Sequence, residues 1–331
     1  MSKRFKVVIT DFAAEPLECE RRILGDIADV VALGAQRESE LVGRIEDADA
    51  VMLYHSLTIG SATTDSLKHC RLIVRCGVGF DNVDGAAARK RGIPVANVPD
   101  YGTEDVADTA IGMALTLSRG IHLLNSRLRS SRGAWSFMQT SPLSRLRGRK
   151  FGVIGLGRIG TAVALRAKAL GMNVAYYDPY ISDGYDKALG VTRAETLADL
   201  LRDAQIVSAH CPLTPETRHI INRDSIALMP PGSYVVNTSR GGVVDVLAVL
   251  DAVTSEHLAG AGIDVLETEP PPPDHPLIQA WRDPSHPAHD RIILNPHSAF
   301  YSEEGLMDMR IKGSENCRRV LLGQPPRNVV N

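Results

Sequence analysis

Between Lys6 and Val98 the apolar residues fall in short runs, KVVITD, ADVVAL, DAVMLY, LIVRCG and PVANV, separated by polar stretches of helical or capped character such as 38–46 and 84–90. Runs of this length, rich in Val and Ile and bounded by turn residues, read as buried strands, and their alternation with helical segments predicts a compact parallel α/β domain. Pro99-Asp100 ends it. Thr103, followed by acids and a long apolar-periodic run, predicts one extended helix to about Arg129 that leads as a hinge into a second domain.

There the alternation resumes. The run 151–156 reads as strand, the segment after it as helix, and 173–177 as a second strand ending in Asp178. Strands follow at 206–211, 233–239, 258–265 and 291–297, with helices over 194–203 and 243–255, so the second domain has the six strands of a complete dinucleotide-binding sheet. From Glu269 to Asp290 the prolines predict a rigid surface loop without regular structure. The last amphipathic helix, 302–322, follows the final strand and is expected to cross back, making the first domain discontinuous. The fold class is α/β with two doubly wound parallel-sheet domains: residues 1–99 and 299–331 form one, and 100–298 a nucleotide-binding domain inserted in it.

The turn after the strand at 151–156 carries Gly155, Gly157 and Gly160. In a strand–turn–helix setting the first glycine permits the tight turn, the second lets backbone approach a pyrophosphate, and the third allows close helix–strand contact. The N–H groups at the helix start attract the phosphate charge. A glycine triplet by itself also suits flavin and methyl-donor sites; the surrounding strand–helix–strand pattern selects a dinucleotide. Asp178 stands about 20 residues past the turn, where a carboxylate accepts hydrogen bonds from the adenosine ribose and repels a 2′-phosphate, so the expected cofactor is NAD rather than NADP. A turn residue ahead of Pro179 is the plainer alternative.

Composition narrows the partners. The chain has 331 residues, 44% hydrophobic and 23% charged, with net charge −2, which gives no electrostatic reason to expect nucleic acid or an anionic membrane. The basic segment 127–150 reads as a solvated connection or an intersubunit contact. The start, MSKRFKVVITDF, has no long apolar region and no window matches a membrane span, so a cytoplasmic protein is expected. Five cysteines without a CxxC pair indicate neither a zinc site nor a disulfide framework, and are expected as buried free thiols.

Candidate chemistry lies at strand ends, where open α/β sheets bind ligands. Arg240 follows YVVNTS, Glu269 follows GIDVLET and His297 closes IILNP. Hydride transfer to a 2-keto acid needs a cation for the carboxylate and the polarised carbonyl, a proton donor for the oxygen, and a partner that keeps the donor charged and aimed. Arg240, His297 and Glu269 suit these roles in turn. Separately, each also reads as a surface arginine, a structural histidine or a solvated acid. Asp264 could accept from a nicotinamide carboxamide. The other eight histidines lack an obvious partner. In the first domain His55, between Tyr54 and Ser56, and the Gly77-Val78-Gly79 turn present polar or backbone donors to a small acid; a loop histidine and a plain turn are the alternatives. No Arg or Lys stands at the Tyr54 strand end, which favours an unphosphorylated acid.

These pieces match a known pattern. MLYHSLT, GVGFDNVD, NVPDYGTEDVADT, GVIGLGRIGTAVALRAKALG, YYDPYISDG, NTSRGGVVD, GIDVLETEP and NPHSAFYSEE make the chain resemble the D-isomer-specific 2-hydroxyacid dehydrogenases, and within them the C-terminal-binding-protein-like branch. The resemblance implies a Rossmann NAD domain within a flavodoxin-like substrate domain, with Arg240, Glu269 and His297 as the catalytic set. It also implies that Val78, Thr109, Arg158, Ile159, Asp178, Cys211, Thr217, Thr238 and Asp264 line the NAD site, in a homodimer built on the nucleotide domains with a cleft that closes on substrate. Two departures stand out: Phe300 where the branch places Trp, which reshapes an apolar wall of the substrate pocket, and a longer proline loop after Glu269. The leading expectation is an NAD-dependent D-2-hydroxyacid dehydrogenase. An NAD-sensing dimeric scaffold with little turnover, and oxidation of formate or phosphite, are the competitors.

Overall fold

The structure, a computed structural model, describes residues 4–140 and 142–331; the first three residues of the charged start fall outside it. The chain forms two compact units, one holding the chain up to Gly102 together with Ser302–Asn331, the other Thr103–Tyr301.

In the smaller unit, strands β1 (Phe5–Ile9), β2 (Ala28–Ala32), β3 (Ala50–Leu53), β4 (Ile73–Arg75) and β5 (Val95–Asn97) form an all-parallel sheet in the order β2-β1-β3-β4-β5. This is the flavodoxin-like order. A parallel sheet is covered on both faces, so its central strands are largely apolar; Val7, Val8, Ile9, Val51, Met52, Ile73 and Val74 are fully buried. The last helix, Glu303–Leu321, packs on helix Glu18–Leu24 and on β3 and β4. Gly313 permits that approach, since a Cβ there would lie 2.8 Å from Cys76 Sγ and 2.9 Å from Met52 Cε. Beyond the helix the final residues lie along β5: the Val330 N–H donates to the Val95 carbonyl (2.8 Å) and the Asn97 N–H to the Asn328 carbonyl (3.1 Å).

In the larger unit, β6 (Lys150–Ile154), β7 (Asn173–Tyr177), β8 (Thr192–Arg193), β9 (Ala204–Ala209), β10 (Ser233–Asn237), β11 (Leu258–Ile263) and β12 (Ile292–Leu294) give a parallel sheet in the order β12-β11-β10-β9-β6-β7-β8. The order is that of a doubly wound dinucleotide-binding sheet extended at one edge by β12. β8 is a strand beyond the six expected, because two residues are too few to show a hydrophobic period.

Other elements also differ from expectation. The extended helix to Arg129 is two, Thr103–Ser118 and Ile121–Arg129, broken where Gly120 takes a left-handed φ of +61°. The expected helices at 194–203 and 243–255 are shorter, Leu197–Leu201 and Val246–Thr254, because the Thr196 and Asp245 side chains cap them late. The 38–46 stretch forms only a short 3₁₀ turn, Glu38–Leu41. Within the proline-rich loop a helix forms at Pro276–Arg282, for which Pro276 at the first position is preorganised and His275 supplies the cap. Part of the basic segment is structural. Arg127 Nε and Arg132 Nη2 bond the carboxylate of buried Asp290 at 2.9 Å each, joined by Ser126 Oγ at 3.0 Å. Burial alone would raise the Asp290 pKa, but these donors hold it at about 2. Among the described residues no helix is long and apolar enough to cross a membrane. All five cysteines are free, four of them buried and Cys70 partly so.

The side chain of Glu20, with no exposed surface, receives a two-pronged grip from Arg310, Nε to Oε1 at 2.6 Å and Nη2 to Oε2 at 2.7 Å. Glu20→Ala strands the arginine and should cost about 3 kcal/mol or more in urea unfolding, while Glu20→Leu combined with Arg310→Leu should recover most of the loss.

Candidate active site

The loops that leave the carboxyl ends of β6, β7, β9, β10, β11 and β12 carry the candidate residues of the larger unit apart from Thr109, which lies on helix Thr103–Ser118. After β6, Gly155 has φ +88°, and a Cβ there would stand 2.7 Å from the Cys211 backbone nitrogen. A Cβ on Gly160 would stand 2.0 Å from the Gly155 carbonyl oxygen, whereas at Gly157 it would meet nothing within 4 Å. Two glycines are therefore fixed by the fold and the third keeps open space over the start of helix Arg158–Ala169, where no side chain caps the N–H groups. Arg158 is exposed there and Ile159 half-buried.

Asp178, past the end of β7, accepts the Leu156 N–H through Oδ2 (2.8 Å) and the Tyr180 N–H through Oδ1 (2.9 Å). It thus performs the turn role weighed for it, and each oxygen keeps a further lone pair for a ligand. At the end of β10 the hydroxyl of buried Thr238 has no hydrogen-bond partner. A cradle left open at Gly157 and an orphaned hydroxyl at Thr238 fit a dinucleotide. Other residues expected at this site have bonds within the fold. Thr217 Oγ1 accepts the Thr214 N–H (2.7 Å) and donates to the Pro212 carbonyl (2.6 Å); Thr109 Oγ1 donates to the Ala299 carbonyl (3.3 Å). Burial pushes the Cys211 thiol up to about 11.

Past the ends of β11 and β12 the chemistry tightens. His297 Nδ1 lies 2.6 Å from Glu269 Oε2, and Glu269 Oε1 accepts the Leu266 N–H at 2.7 Å. Burial alone would raise the Glu269 pKa; the His297 hydrogen bond and charge, the Leu266 N–H and the charge of Arg240 overcome this and lower it. His297 has φ +51°, a left-handed conformation that is costly for a side-chain-bearing residue. Asp264, 2% exposed, holds the turn: its carbonyl accepts the His297 N–H (2.8 Å), and its carboxylate accepts the N–H groups of Ser298 (2.9 Å) and Ala299 (3.1 Å). Burial keeps the Asp264 pKa above the usual aspartate value despite these donors. The Phe300 ring stands edge-on to His297, with centroids 6.2 Å apart.

Arg240 follows β10; its carbonyl accepts from Asn237 Nδ2 (2.9 Å) and its Nη1 donates to the Ser239 carbonyl (2.9 Å). The next residue explains how this turn meets the Glu269 loop. A Cβ on Gly241 would fall 2.0 Å from the Leu266 carbonyl carbon, so the two backbones are in direct contact. Several histidines do have partners, against expectation: His219 pairs with Glu267 (2.6 Å), His289 Nδ1 with the Trp281 carbonyl (2.6 Å) and His210 with Ser208 (2.8 Å). Burial drives the His210 pKa down to about 3.

In the smaller unit, the buried Asp11 carboxylate accepts the N–H groups of Tyr54 (2.8 Å) and Ser56 (2.9 Å), fixing the loop that carries His55, and Phe12 packs edge-on against the His55 ring. A cation that no sequence motif marks stands here. Arg75, 7% exposed at the end of β4, lays its guanidinium over Gly77, where a Cβ would come within 1.6 Å of Nη1. The signal was an arginine closing the apolar run LIVR. Val78 is tied by Asn97 Nδ2, which donates to its carbonyl at 2.7 Å, and Gly79 is half-buried.

Residues 111–299 match the family described as D-isomer specific 2-hydroxyacid dehydrogenase, NAD binding domain. The chain belongs to that family and carries its NAD-binding domain. It is 37% identical over 98% of its length to a D-3-phosphoglycerate dehydrogenase of Methanocaldococcus jannaschii, and 34% identical over 94% to C-terminal-binding protein 1 of Caenorhabditis elegans. It spans only 59% and 43% of those two proteins. A solved D-lactate dehydrogenase from Aquifex aeolicus, complexed with NAD and lactic acid, superposes with a TM-score of 0.84 at 28% identity, covering 96% of each chain.

The three glycines separate fold from binding. Gly157→Ala should keep the wild-type melting temperature and lose NADH affinity by about tenfold or more in fluorescence titration, its methyl filling the cradle. Gly160→Ala, which drives a methyl into backbone, should instead lower stability by about 1–3 kcal/mol.

Proposed function

We propose that the chain is an NAD-dependent oxidoreductase that interconverts a 2-keto acid and a D-2-hydroxy acid. The observation that carries this reading is the 2.6 Å contact between His297 Nδ1 and Glu269, within reach of the Arg240 charge. With Nδ1 turned to Glu269, the reading assigns Nε2 to the substrate oxygen. When bound, NADH supplies the hydride that reaches the carbonyl carbon. The residues do the rest: Arg240 holds the carboxylate and polarises the carbonyl, His297 Nε2–H gives its proton to the carbonyl oxygen, and Glu269 stabilises the imidazolium before that transfer. Oxidation of the hydroxy acid runs the same proton back onto Nε2. Asp178, one bond away from the glycine turn, favours NAD over NADP by its charge.

For the substrate, we infer an unphosphorylated 2-keto acid of moderate size with an apolar tail. Phe300 beside His297 offers a ring rather than a polar group. The buried Arg75 guanidinium, with His55 and the Gly77-Val78-Gly79 backbone, suits a carboxylate. Formate or phosphite oxidation would leave that apolar ring without a use. The chain's likeness to a C-terminal-binding protein keeps a second reading in view, an NAD-sensing scaffold with little turnover. A homodimer is part of either reading. The segment after helix Ile121–Arg129 displays Trp135, Phe137 and Met138 at 92%, 77% and 62% exposure, an apolar patch that a second copy of the chain would cover. A soluble, cytoplasmic setting accords with this reading.

Turnover decides between enzyme and scaffold. Following NADH oxidation with pyruvate and with aromatic and thioether keto acids, we expect Arg240→Ala, Glu269→Gln and His297→Ala each to lose about 100-fold or more in kcat/KM, with the bulkier acids preferred. Wild-type rates in all three variants, or NAD-dependent capture of a partner protein without turnover of any acid, would reverse the assignment. Because the Glu269 pKa lies below the ordinary glutamate value, its charge, and the activity that needs it, should persist until the pH falls under that ordinary range and fail only below it. Trp135→Asp with Phe137→Ser should shift the wild-type dimer to monomer in light scattering.

A further inference from the structure

Glu267 stands two residues before Glu269 and has partners of its own. Its Oε1 accepts both from His219 Nε2 (2.6 Å) and from Arg218 Nη1 (2.9 Å), although the sequence reading gave His219 no partner. These donors belong to the loop after β9. His219 adopts a left-handed φ of +50°, and its own N–H donates to the Gly242 carbonyl at 2.8 Å, so the same residue also touches the loop after β10. The junction is closely fitted: a Cβ on Gly242 would lie 3.1 Å from both δ-carbons of Leu213 and 3.4 Å from Glu267 Oε1, while Gly241 abuts Leu266 and Glu267 backbone. Three successive strand-end loops thus meet at one carboxylate.

We propose that Glu267, gripped by Arg218 and His219, is a positioning residue that fixes the Leu266–Glu269 segment and thereby aims Glu269 at His297. The inference rests on the His297–Glu269 pair acting as proposed above. Leu266 is the link, since its N–H binds Glu269 Oε1 while its carbonyl carbon leans on Gly241. Nothing else about the exposed pair requires it: isolated surface ion pairs contribute little to stability, so a carboxylate with two donors at this junction is better explained by placement. Glu267 touches neither His297 nor the reacting atoms, and it is not a catalytic residue.

The test uses the full-length protein with NADH and whichever of pyruvate, an aromatic or a thioether keto acid it reduces fastest. Glu267→Ala should lower kcat by about fivefold to tenfold, short of the ~100-fold that a full ångström of misplacement can cost, while leaving KM and NADH affinity unchanged. Glu267→Gln, which still offers an acceptor oxygen, should stay within about twofold of wild type, and Arg218→Ala with His219→Ala should reproduce the alanine effect from the donor side. If Glu267→Ala keeps the wild-type kcat while Glu269→Gln loses activity, the clamp is refuted and the catalytic reading stands. If Glu269→Gln is itself fully active, the catalytic reading falls and takes the clamp with it. A loss in Glu267→Ala that is matched in Glu267→Gln, with KM, NADH affinity and melting temperature all changed, marks general damage and also overturns it.

Discussion

All seven strands of the larger unit run parallel, and every loop that leaves a carboxyl end therefore opens on the same side of the sheet. Chain positions more than a hundred residues apart, from Gly155 to His297, come to the same side of the sheet for that reason alone. The constraint fixes only the side. What narrows it to bonding distance is backbone contact at glycine: Gly160 against Gly155, Gly155 against Cys211, and Gly241 against Leu266, each at a separation that no side-chain-bearing residue tolerates. The binding turn and the proposed chemistry share one device, the removal of Cβ where two loops must touch.

The strained backbone at His297 belongs to the same scheme. A left-handed conformation in a residue other than glycine costs about 1–3 kcal/mol and persists only where surroundings over-determine it. Here Asp264 contributes its carbonyl to His297 and its carboxylate to the two following N–H groups. A single buried aspartate holds the backbone that carries the imidazole, and Glu269 meets that ring at Nδ1. Asp264 was read from sequence as a ligand for the nicotinamide amide; the bonds it makes within the chain give it an additional, internal task.

Much of this was legible because the determinants are local. Strand runs, the glycine turn and Asp178 lie within one continuous stretch, and Arg240, Glu269 and His297 each follow a recognisable strand. Features set by distant packing were not legible. Two-residue β8 exists only because β7 offers an edge, and the break at Gly120 looked like one tolerated glycine inside a helical period. The prolines after Glu269 suggested irregular chain, yet Pro276 begins a helix where its missing N–H costs nothing. Arg75 hid in an apolar run, and Glu267 hid beside a more conspicuous acid; only the partners brought by folding, Gly77 for one and Arg218 with His219 for the other, distinguish them.

The smaller unit carries a consequence for synthesis. Its five strands are complete by Asn97, but helix Glu303–Leu321, which covers β3 and β4, and the tail that pairs with β5 emerge only after the whole larger unit has been translated. On the ribosome the second unit to be made is the first that can finish folding, since its sequence is contiguous. The nascent first unit must wait with Met52 and Val74 lacking their helix, held ready through the elongation of some two hundred intervening residues. Closure of the amino-terminal sheet thus comes after synthesis of the larger unit.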